Sequence, residues 1–208
     1  MSTPYETALL AIDTAHSLDP TSFTPPITAP NPTPAPIPYE LHYAQKSTSY
    51  LTLLSPNASE ALRLAVRAQH FRRWEVPRSS YPMTKVGYHA WRTYLKKRQA
   101  ELAEEICKEA GLKEEVCQKV GSLIRKEGLL GKKEGEVDEE VQMLEDVACL
   151  VFLDDQFEGF EQGLKDEEKI IGILQKTWKK MGQKGREVAL GMEMGERQRV
   201  LIEKALAG

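Results

Sequence analysis

Eight prolines between residues 20 and 38 constrain this chain of 208 residues more than any other feature. Proline fixes φ and has no backbone N–H to donate, so neither a helix nor a strand ladder can continue through such a tract. The sequence therefore predicts an N-terminal helix within residues 1–19, an extended Pro-rich linker over residues 20–38 and a helical domain over residues 39–208.

Apolar residues recur at three- and four-residue intervals along the body of the chain, and no alternating apolar–polar run is long enough to nucleate a sheet. Ser59 is suited to cap a helix that runs to about Trp74. Gly111 is suited to end a long helix that begins at Thr84 or Lys85. We expect an all-α fold, a single compact multi-helix domain. Further helices are predicted over residues 39–54, 113–126, 138–157, 166–181 and 196–207.

The cysteines and the hydropathy pattern predict a compartment. Cys107, Cys117 and Cys149 are few and odd in number, and their spacing is not that of a metal site, which is typical of reduced thiols. No apolar run approaches the roughly 20 residues that cross a bilayer, and the N-terminus lacks a signal-peptide pattern. We expect a cytoplasmic protein that does not bind membranes, with the nucleus as an alternative location.

Charge is unevenly distributed along the chain. Residues 57–98 contain ten basic and two acidic residues, an excess of +8, although the whole chain has a net charge of −3. The following segment, from Glu101 to Asp146, is rich in glutamate. Such segregation can attract anions to one face of a protein, or the two segments can neutralise each other across helix contacts.

Two adjacent carboxylates, Glu145 and Asp146, precede the most apolar helical segment, residues 147–153. On a helical projection, apolar residues surround Glu145. A buried carboxylate needs a cation, a metal or several hydrogen-bond donors. The pair therefore predicts either a catalytic or metal site or a structural ion pair with an arginine.

A second candidate region follows Ser59. Gln69 and Arg73 continue the helical stripe of Leu62 and Val66, and His70 lies beside it. Arg78 lies in a loop bracketed by prolines, and fixed arginine side chains suit phosphate or carboxylate recognition. A lone histidine in such a position is more often a core residue than a metal ligand. Here its arginine neighbours favour a site.

The long helix repeats aromatic and aliphatic residues from Tyr88 to Ile106, and we expect Gln99 and Glu105 to face inward with them. Tryptophan and tyrosine at this spacing indicate either a core or, as an alternative, a base-stacking platform. The candidate ligand-binding residues are Gln69, Arg73, Arg78, Tyr81, Tyr88, Arg92, Gln99 and Glu105.

Several long motifs resemble one family. They are Arg67-Ala-Gln-His-Phe-Arg-Arg-Trp74, Pro77-Arg-x-x-Tyr-Pro, Gly87-Tyr-x-x-Trp-Arg, Leu144-Glu-Asp-Val-Ala-Cys-Leu-Val-Phe-Leu and Lys176-Thr-Trp-Lys-Lys-Met. They are similar to the motifs of the DUF4202 family, and the resemblance covers nearly the whole chain. It implies an α-helical protein of bacteria and fungi, and it implies no reaction.

The order of a histidine, an inward polar residue and a buried acidic pair also resembles HD-type metal phosphohydrolases. That resemblance implies a divalent metal held by His70, Glu145 and Asp146, which would also be the catalytic residues. The chain departs from the pattern at Gln99, often histidine in DUF4202 relatives, and Glu145 stands where the family has histidine.

Two functions follow as hypotheses. One is an HD-like metal-dependent phosphohydrolase, or a protein that binds a phosphate-bearing small molecule or nucleotide. The other is a non-catalytic adaptor that binds RNA or protein, with a structural salt-bridge core.

Overall fold

The computed structural model describes residues 2–24, 35–129, 137–164 and 166–207. Over these residues the protein is all-α, as predicted, with a single two-stranded sheet as its β-structure. Residues 25–34, the middle of the predicted Pro-rich linker, lie outside the described residues. In the described part of the chain, no helix has both the length and the apolar content that crossing a bilayer requires.

Ten helices are described. They are α1 (Pro4–His16), α2 (Tyr39–Leu54), α3 (Glu60–Arg67), α4 (Lys85–Glu109), α5 (Glu114–Arg125), α6 (Glu139–Val151), α7 (Phe157–Gly163), α8 (Glu167–Lys180), α9 (Gln183–Leu190) and α10 (Glu196–Ala207). A π-helical turn, Phe152–Gln156, joins α6 to α7. The strands β1 (Ser22–Phe23) and β2 (Ile37–Pro38) pair antiparallel. Strands of two residues are too short to produce an alternating apolar–polar pattern in the sequence.

The chain forms two compact units. Unit 1 comprises Met1–Ser49 and Asn57–Glu127, and unit 2 comprises Tyr50–Pro56 and Gly128–Gly208. In unit 1, α4 packs against α5 and α1, and α3 packs against the same two helices. In unit 2, α8 packs against α10 and α6, and α6 also packs against α9.

Each unit has its own apolar core. In unit 1 the side chains of Leu64 and Leu123 are fully buried where α3 meets α5. In unit 2, Leu144, Val147 and Leu150 of α6 are fully buried. This burial fits the composition of residues 147–153, since a helix that is apolar on all sides must be covered on most of them.

Two predicted helix boundaries are confirmed. The Ser59 side chain accepts a hydrogen bond from the backbone N–H of Leu62 at 3.1 Å, which satisfies one of the unpaired donors at the start of α3. Gly111, just beyond α4, has φ of 85°, a left-handed conformation that glycine adopts without steric cost.

The prediction that the helix after Ser59 continues to Trp74 is wrong. α3 ends at Arg67, and Arg73–Glu75 forms a separate 3₁₀ turn. A regular helix cannot pass through residues 70 and 72, because His70 and Arg72 have positive φ angles of 62° and 49°. The backbone from residue 69 to residue 74 is therefore a tight turn, called here the His70 turn.

Candidate functional site

The His70 turn contains two residues other than glycine with left-handed backbone, His70 and Arg72. Left-handed backbone is uncommon outside glycine, although histidine is among the residues that adopt it more often than average. For arginine at position 72 the conformation carries a steric cost. Such strain persists where surrounding contacts hold it in place, and it concentrates at functional sites.

Glu40 supplies the contacts that hold the turn. Its carboxylate accepts hydrogen bonds from the backbone N–H groups of Arg72 at 2.9 Å, Arg73 at 2.5 Å and Trp74 at 3.2 Å. Glu40 lies in the first turn of α2 and is only 4% exposed. Three N–H groups that a helix would have paired locally are thus satisfied by a buried carboxylate more than 30 residues earlier.

His16, the last residue of α1, ties Glu40 to the end of α3. Its Nδ1 lies 3.2 Å from Glu40 Oε2, and its Nε2 lies 2.9 Å from the carbonyl oxygen of Arg67. The His16 ring is fully buried and makes an edge contact with the ring of Phe71. Neither Glu40 nor His16 was among the predicted site residues, because both lie far from the turn in the sequence.

The ring of His70 is stacked on Tyr43, with 4.1 Å between centroids and 19° between planes. Arg73 Nη1 lies 2.9 Å from His70 Nε2. A guanidinium is only a donor, so Nε2 accepts this hydrogen bond and the ring proton of neutral His70 resides on Nδ1. Burial, followed by the positive charges of Arg73 and Arg92, lowers the pKa of His70 well below its ordinary range and favours this neutral form.

Arg73 is held on two sides. Its guanidinium carbon lies 4.7 Å from the centre of the Trp91 ring, and His70 accepts a hydrogen bond from it. Burial and the neighbouring charge of Arg92 lower the pKa of Arg73, whereas Tyr43, Tyr88 and Glu40 act in the opposite direction. The fixed cation of Arg73 is thus within electrostatic range of a second cation, Arg92.

Most neighbouring arginines have an acidic partner. Arg67 forms a two-pronged bridge with Asp13, at 2.6 and 2.8 Å. Arg72 and Arg98 both bind Glu75. These three arginines are neutralised by acids outside the glutamate-rich segment 101–146, so they do not support the expected neutralisation between the two segments.

Arg73 and Arg92 differ from these arginines. Within the described residues of unit 1, no acidic side chain forms an ion pair with either of them, and Arg92 makes no side-chain hydrogen bond. Glu40, the acid that acts on Arg73, directs its oxygens at backbone N–H groups. Two partly buried guanidinium groups with net positive charge therefore form the candidate site, together with His70, Tyr88 and Trp91.

Arg78 stabilises the loop between residues 78 and 84. Its guanidinium donates to the carbonyl oxygens of Tyr81 at 2.9 Å, Pro82 at 2.7 Å and Thr84 at 3.3 Å. The predicted ligand-binding residue Tyr81 lies in this loop, with its ring 6.3 Å from that of Tyr94. Arg78 thereby fixes the start of α4, where Tyr88 and Arg92 are located.

The polar residues predicted to face inward, Gln69, Gln99 and Glu105, differ in their burial. Gln69 and Gln99 are buried, as expected, and Gln99 Nε2 has no hydrogen-bond partner among the described residues. The prediction that Glu105 faces inward is wrong, because Glu105 is exposed. The buried residues Ala103 and Cys107 flank it two positions away on α4, which places Glu105 on the opposite face.

The predicted carboxylates Glu145 and Asp146 lie in unit 2 and are 5% and 2% exposed, so their predicted burial is confirmed. Glu145 Oε1 lies 3.5 Å from Lys180 Nζ. Asp146 Oδ1 accepts hydrogen bonds from the backbone N–H of Gly182 and from Gln142 Nε2, each at 2.8 Å. Burial raises the pKa of Asp146, and the hydrogen bond from Gly182 acts against that rise.

The contacts of Asp146 indicate a structural role. Gly182 and Gly185 belong to the start of α9, which has no side-chain cap of its own, and the N–H groups of both act on the Asp146 carboxylate. A carboxylate at a helix N-terminus satisfies unpaired donors and interacts favourably with the helix dipole. Asp146 therefore caps α9 from α6.

A family model confirms the resemblance seen in the sequence. The model described as Domain of unknown function (DUF4202) matches residues 6–202. The chain is a member of the DUF4202 family. No curated protein and no solved structure matches this chain.

In this DUF4202 protein, the residues predicted for one metal site belong to different units, His70 to unit 1 and the two carboxylates to unit 2. Over the described ranges, no group of three or more His, Cys, Asp or Glu side chains is placed to hold a metal ion. The divalent metal and the catalytic roles of His70, Glu145 and Asp146 stay predictions.

Proposed function

We propose that this protein binds a phosphate-bearing small molecule through Arg73 and Arg92 in unit 1. The observation that supports this function is a pair of partly buried guanidinium groups within electrostatic range of each other, neither of which has an ion-pair partner in the described part of unit 1. Buried or partly buried charges are normally paired, because an uncompensated charge away from water is costly. An anion between the two arginines would remove that cost.

The ligand class follows from the donors. Guanidinium groups present several N–H donors in a planar fork that matches the oxygens of phosphate. The neutral ring of His70 accepts a hydrogen bond from Arg73 through Nε2 and so holds this guanidinium in place. The site thus combines two positive charges with several N–H donors, which suits an anion with several oxygens.

The site is also rigid before any ligand binds. Glu40 fixes the backbone of Arg72, Arg73 and Trp74, while Trp91 and His70 hold the Arg73 guanidinium. A rigid binding group loses little conformational freedom when a ligand binds, so more of the interaction energy appears as affinity.

Hydrolysis of the ligand, with the predicted metal, and the adaptor function both stay predictions. A phosphohydrolase of this kind must also bind the phosphate group, so binding is the step to test first.

The test is isothermal titration calorimetry with inorganic phosphate and with pyrophosphate. We expect the wild-type protein to bind pyrophosphate more tightly than phosphate. Arg92→Gln should weaken pyrophosphate binding by about 10- to 100-fold, the range for one charge-assisted hydrogen-bonding group. Arg92 is the preferred variant because the described structure gives it no hydrogen bond to lose on folding.

The matched control is Arg199→Gln, which removes the same charge from an exposed position on α10 of unit 2. It should leave the affinity unchanged. The proposal is overturned if the wild type binds neither anion, or if Arg92→Gln and Arg199→Gln bind pyrophosphate equally well.

A further inference from the structure

Tyr88 is a partly exposed aromatic residue of the candidate site that contains Arg73 and Arg92. It precedes Trp91 by three residues and Arg92 by four on α4, and residues at these intervals are neighbours on one face of a helix. The Tyr88 and Trp91 ring centroids are 6.0 Å apart, and the Arg78 guanidinium carbon lies 5.9 Å from the centre of the Tyr88 ring. Tyr88 is therefore held in position although it is 45% exposed.

The same ring is close to the anion site. Tyr88 and Arg73 both contact the ring of Trp91, with 6.0 Å between the Tyr88 and Trp91 ring centroids and 4.7 Å from the Arg73 guanidinium carbon to the Trp91 centroid. At a separation of four helical residues, the Cβ atoms of Tyr88 and Arg92 are about 6 Å apart. A single small molecule can therefore contact the ring and the guanidinium groups together.

We propose that the anion held by Arg73 and Arg92 is the phosphate of a mononucleotide whose base stacks on Tyr88. This inference rests on the proposed function and adds a nucleobase to the proposed phosphate ligand. A fixed, partly exposed aromatic ring on the same helix face as Arg92 offers a flat apolar surface beside a phosphate site. Nucleobases stack on such rings, with little preference among the four bases.

A short single-stranded nucleic acid would use the same chemistry, but the structure favours the smaller ligand. Arg78, beside the Tyr88 ring, donates to three backbone carbonyl oxygens. Other arginines of the basic segment are engaged with acids, Arg67 with Asp13 and both Arg72 and Arg98 with Glu75. Binding along a strand needs a row of cations that follows successive phosphates. Arg73 and Arg92 provide a place for one phosphate group.

The experiment compares ribose 5-phosphate with adenosine and cytidine 5′-monophosphates, which share its phosphate and sugar. We expect the wild type to bind both mononucleotides about 5- to 150-fold more tightly than ribose 5-phosphate, the range for stacking one base on an aromatic ring. Tyr88→Ala should abolish this difference, because the ring on which the base stacks is gone. Tyr88→Phe, which keeps the ring, should retain the difference.

The matched control is Tyr94→Ala, since Tyr94 lies on the same helix and is 46% exposed. It should retain the preference for mononucleotides. If wild-type protein binds ribose 5-phosphate and the mononucleotides equally, the base-stacking inference fails while the phosphate site stands. If it binds none of these and no pyrophosphate, both proposals fail. Tight binding of an oligonucleotide without binding of mononucleotides would also overturn the inference.

Discussion

Glu40 Oε2 lies 2.9 Å from the backbone nitrogen of Arg72, 32 residues further along the chain. The same carboxylate binds the next two backbone N–H groups and His16. Three donors that usually belong to the ladder of a helix are thereby satisfied in a non-helical turn. Glu40 therefore stabilises the left-handed backbone of His70 and Arg72 and helps to position the backbone of Arg73.

Glu40→Gln should destabilise the protein by about 2–4 kcal/mol, because the amide retains one acceptor oxygen and places an N–H₂ group against backbone donors. Urea denaturation at pH 7 would measure the change. Under conditions where the variant is folded, it should also bind pyrophosphate more weakly, since Arg73 loses its fixed backbone. Glu101→Gln, a change at an exposed glutamate, should alter neither quantity. Equal denaturation midpoints for Glu40→Gln and wild type would contradict the role given to Glu40.

The pKa of His70 predicts how stability depends on pH. Its folded-state pKa is lowered by burial and by the positive charges of Arg73, Arg92 and Lys126. The ordinary value in an unfolded chain is about 6.5, so below that pH the unfolded state binds more protons at this residue. Stability contributed by neutral His70 is present above about pH 6.5 and is lost as the pH falls through that value toward the folded pKa.

His70→Asn removes the titrating ring and keeps a residue that tolerates a left-handed backbone. As the pH falls from 7.5 to 5.5, the unfolding free energy of the wild type should decrease relative to that of this variant. The steepest slope should be at most about 1.4 kcal/mol per pH unit, the value for one proton. Parallel curves over this range would show that His70 binds protons equally in both states.

The features predicted correctly from the sequence depend on residues close together in the chain. Ser59 and the N–H of Leu62 are three positions apart, and Gly111 stops α4 by its own backbone freedom. The burial of Glu145 and Asp146 follows from the apolar residues around them on the same helix. Periodicity and capping are local properties, so they are visible in a single sequence.

The errors have a long-range cause. α3 stops at Arg67 because Glu40 offers an acceptor to the N–H groups of residues 72–74, and nothing in the residues after Ser59 indicates it. On α4, the inward face is chosen by contact with both α1 and α5, whereas the apolar pattern alone placed Glu105 on it. Tertiary contacts overrode the local pattern in both cases.

The Arg67–Asp13 bridge should be sensitive to replacement by lysine. Arg67 Nε and Nη2 bind the two carboxylate oxygens, and Nη1 donates to Thr48 Oγ1 at 3.0 Å. Lysine keeps the charge but cannot reproduce the planar fork. Arg67→Lys should therefore cost about 1–3 kcal/mol in unfolding free energy. Arg199→Lys, at an exposed position, should stay within about 0.5 kcal/mol of wild type. Equal costs in the two variants would mean that the fork contributes nothing.

The contact between Asp146 and Gly185 gives the last prediction. A Cβ atom at residue 185 would lie 2.7 Å from Asp146 Cγ, so alanine there must displace the carboxylate that caps α9. Gly185→Ala should destabilise the protein by about 1–3 kcal/mol in urea denaturation. The matched control is Gly172→Ala in α8, where a Cβ meets nothing within 4 Å. It should stabilise by about 0.5–1 kcal/mol, because alanine is the better helix former.

A double-mutant cycle separates the clash with Asp146 from a general intolerance of α9 to alanine. In an Asp146→Ala background the carboxylate is gone, but the Cβ of residue 146 still lies 3.0 Å from a Cβ at residue 185. The cost of Gly185→Ala should therefore fall without disappearing, and the coupling free energy should equal the part of the cost that is due to the carboxylate. An unchanged cost in both backgrounds would mean that Gly185→Ala destabilises α9 itself. The clash with the Asp146 carboxylate would then not be the cause.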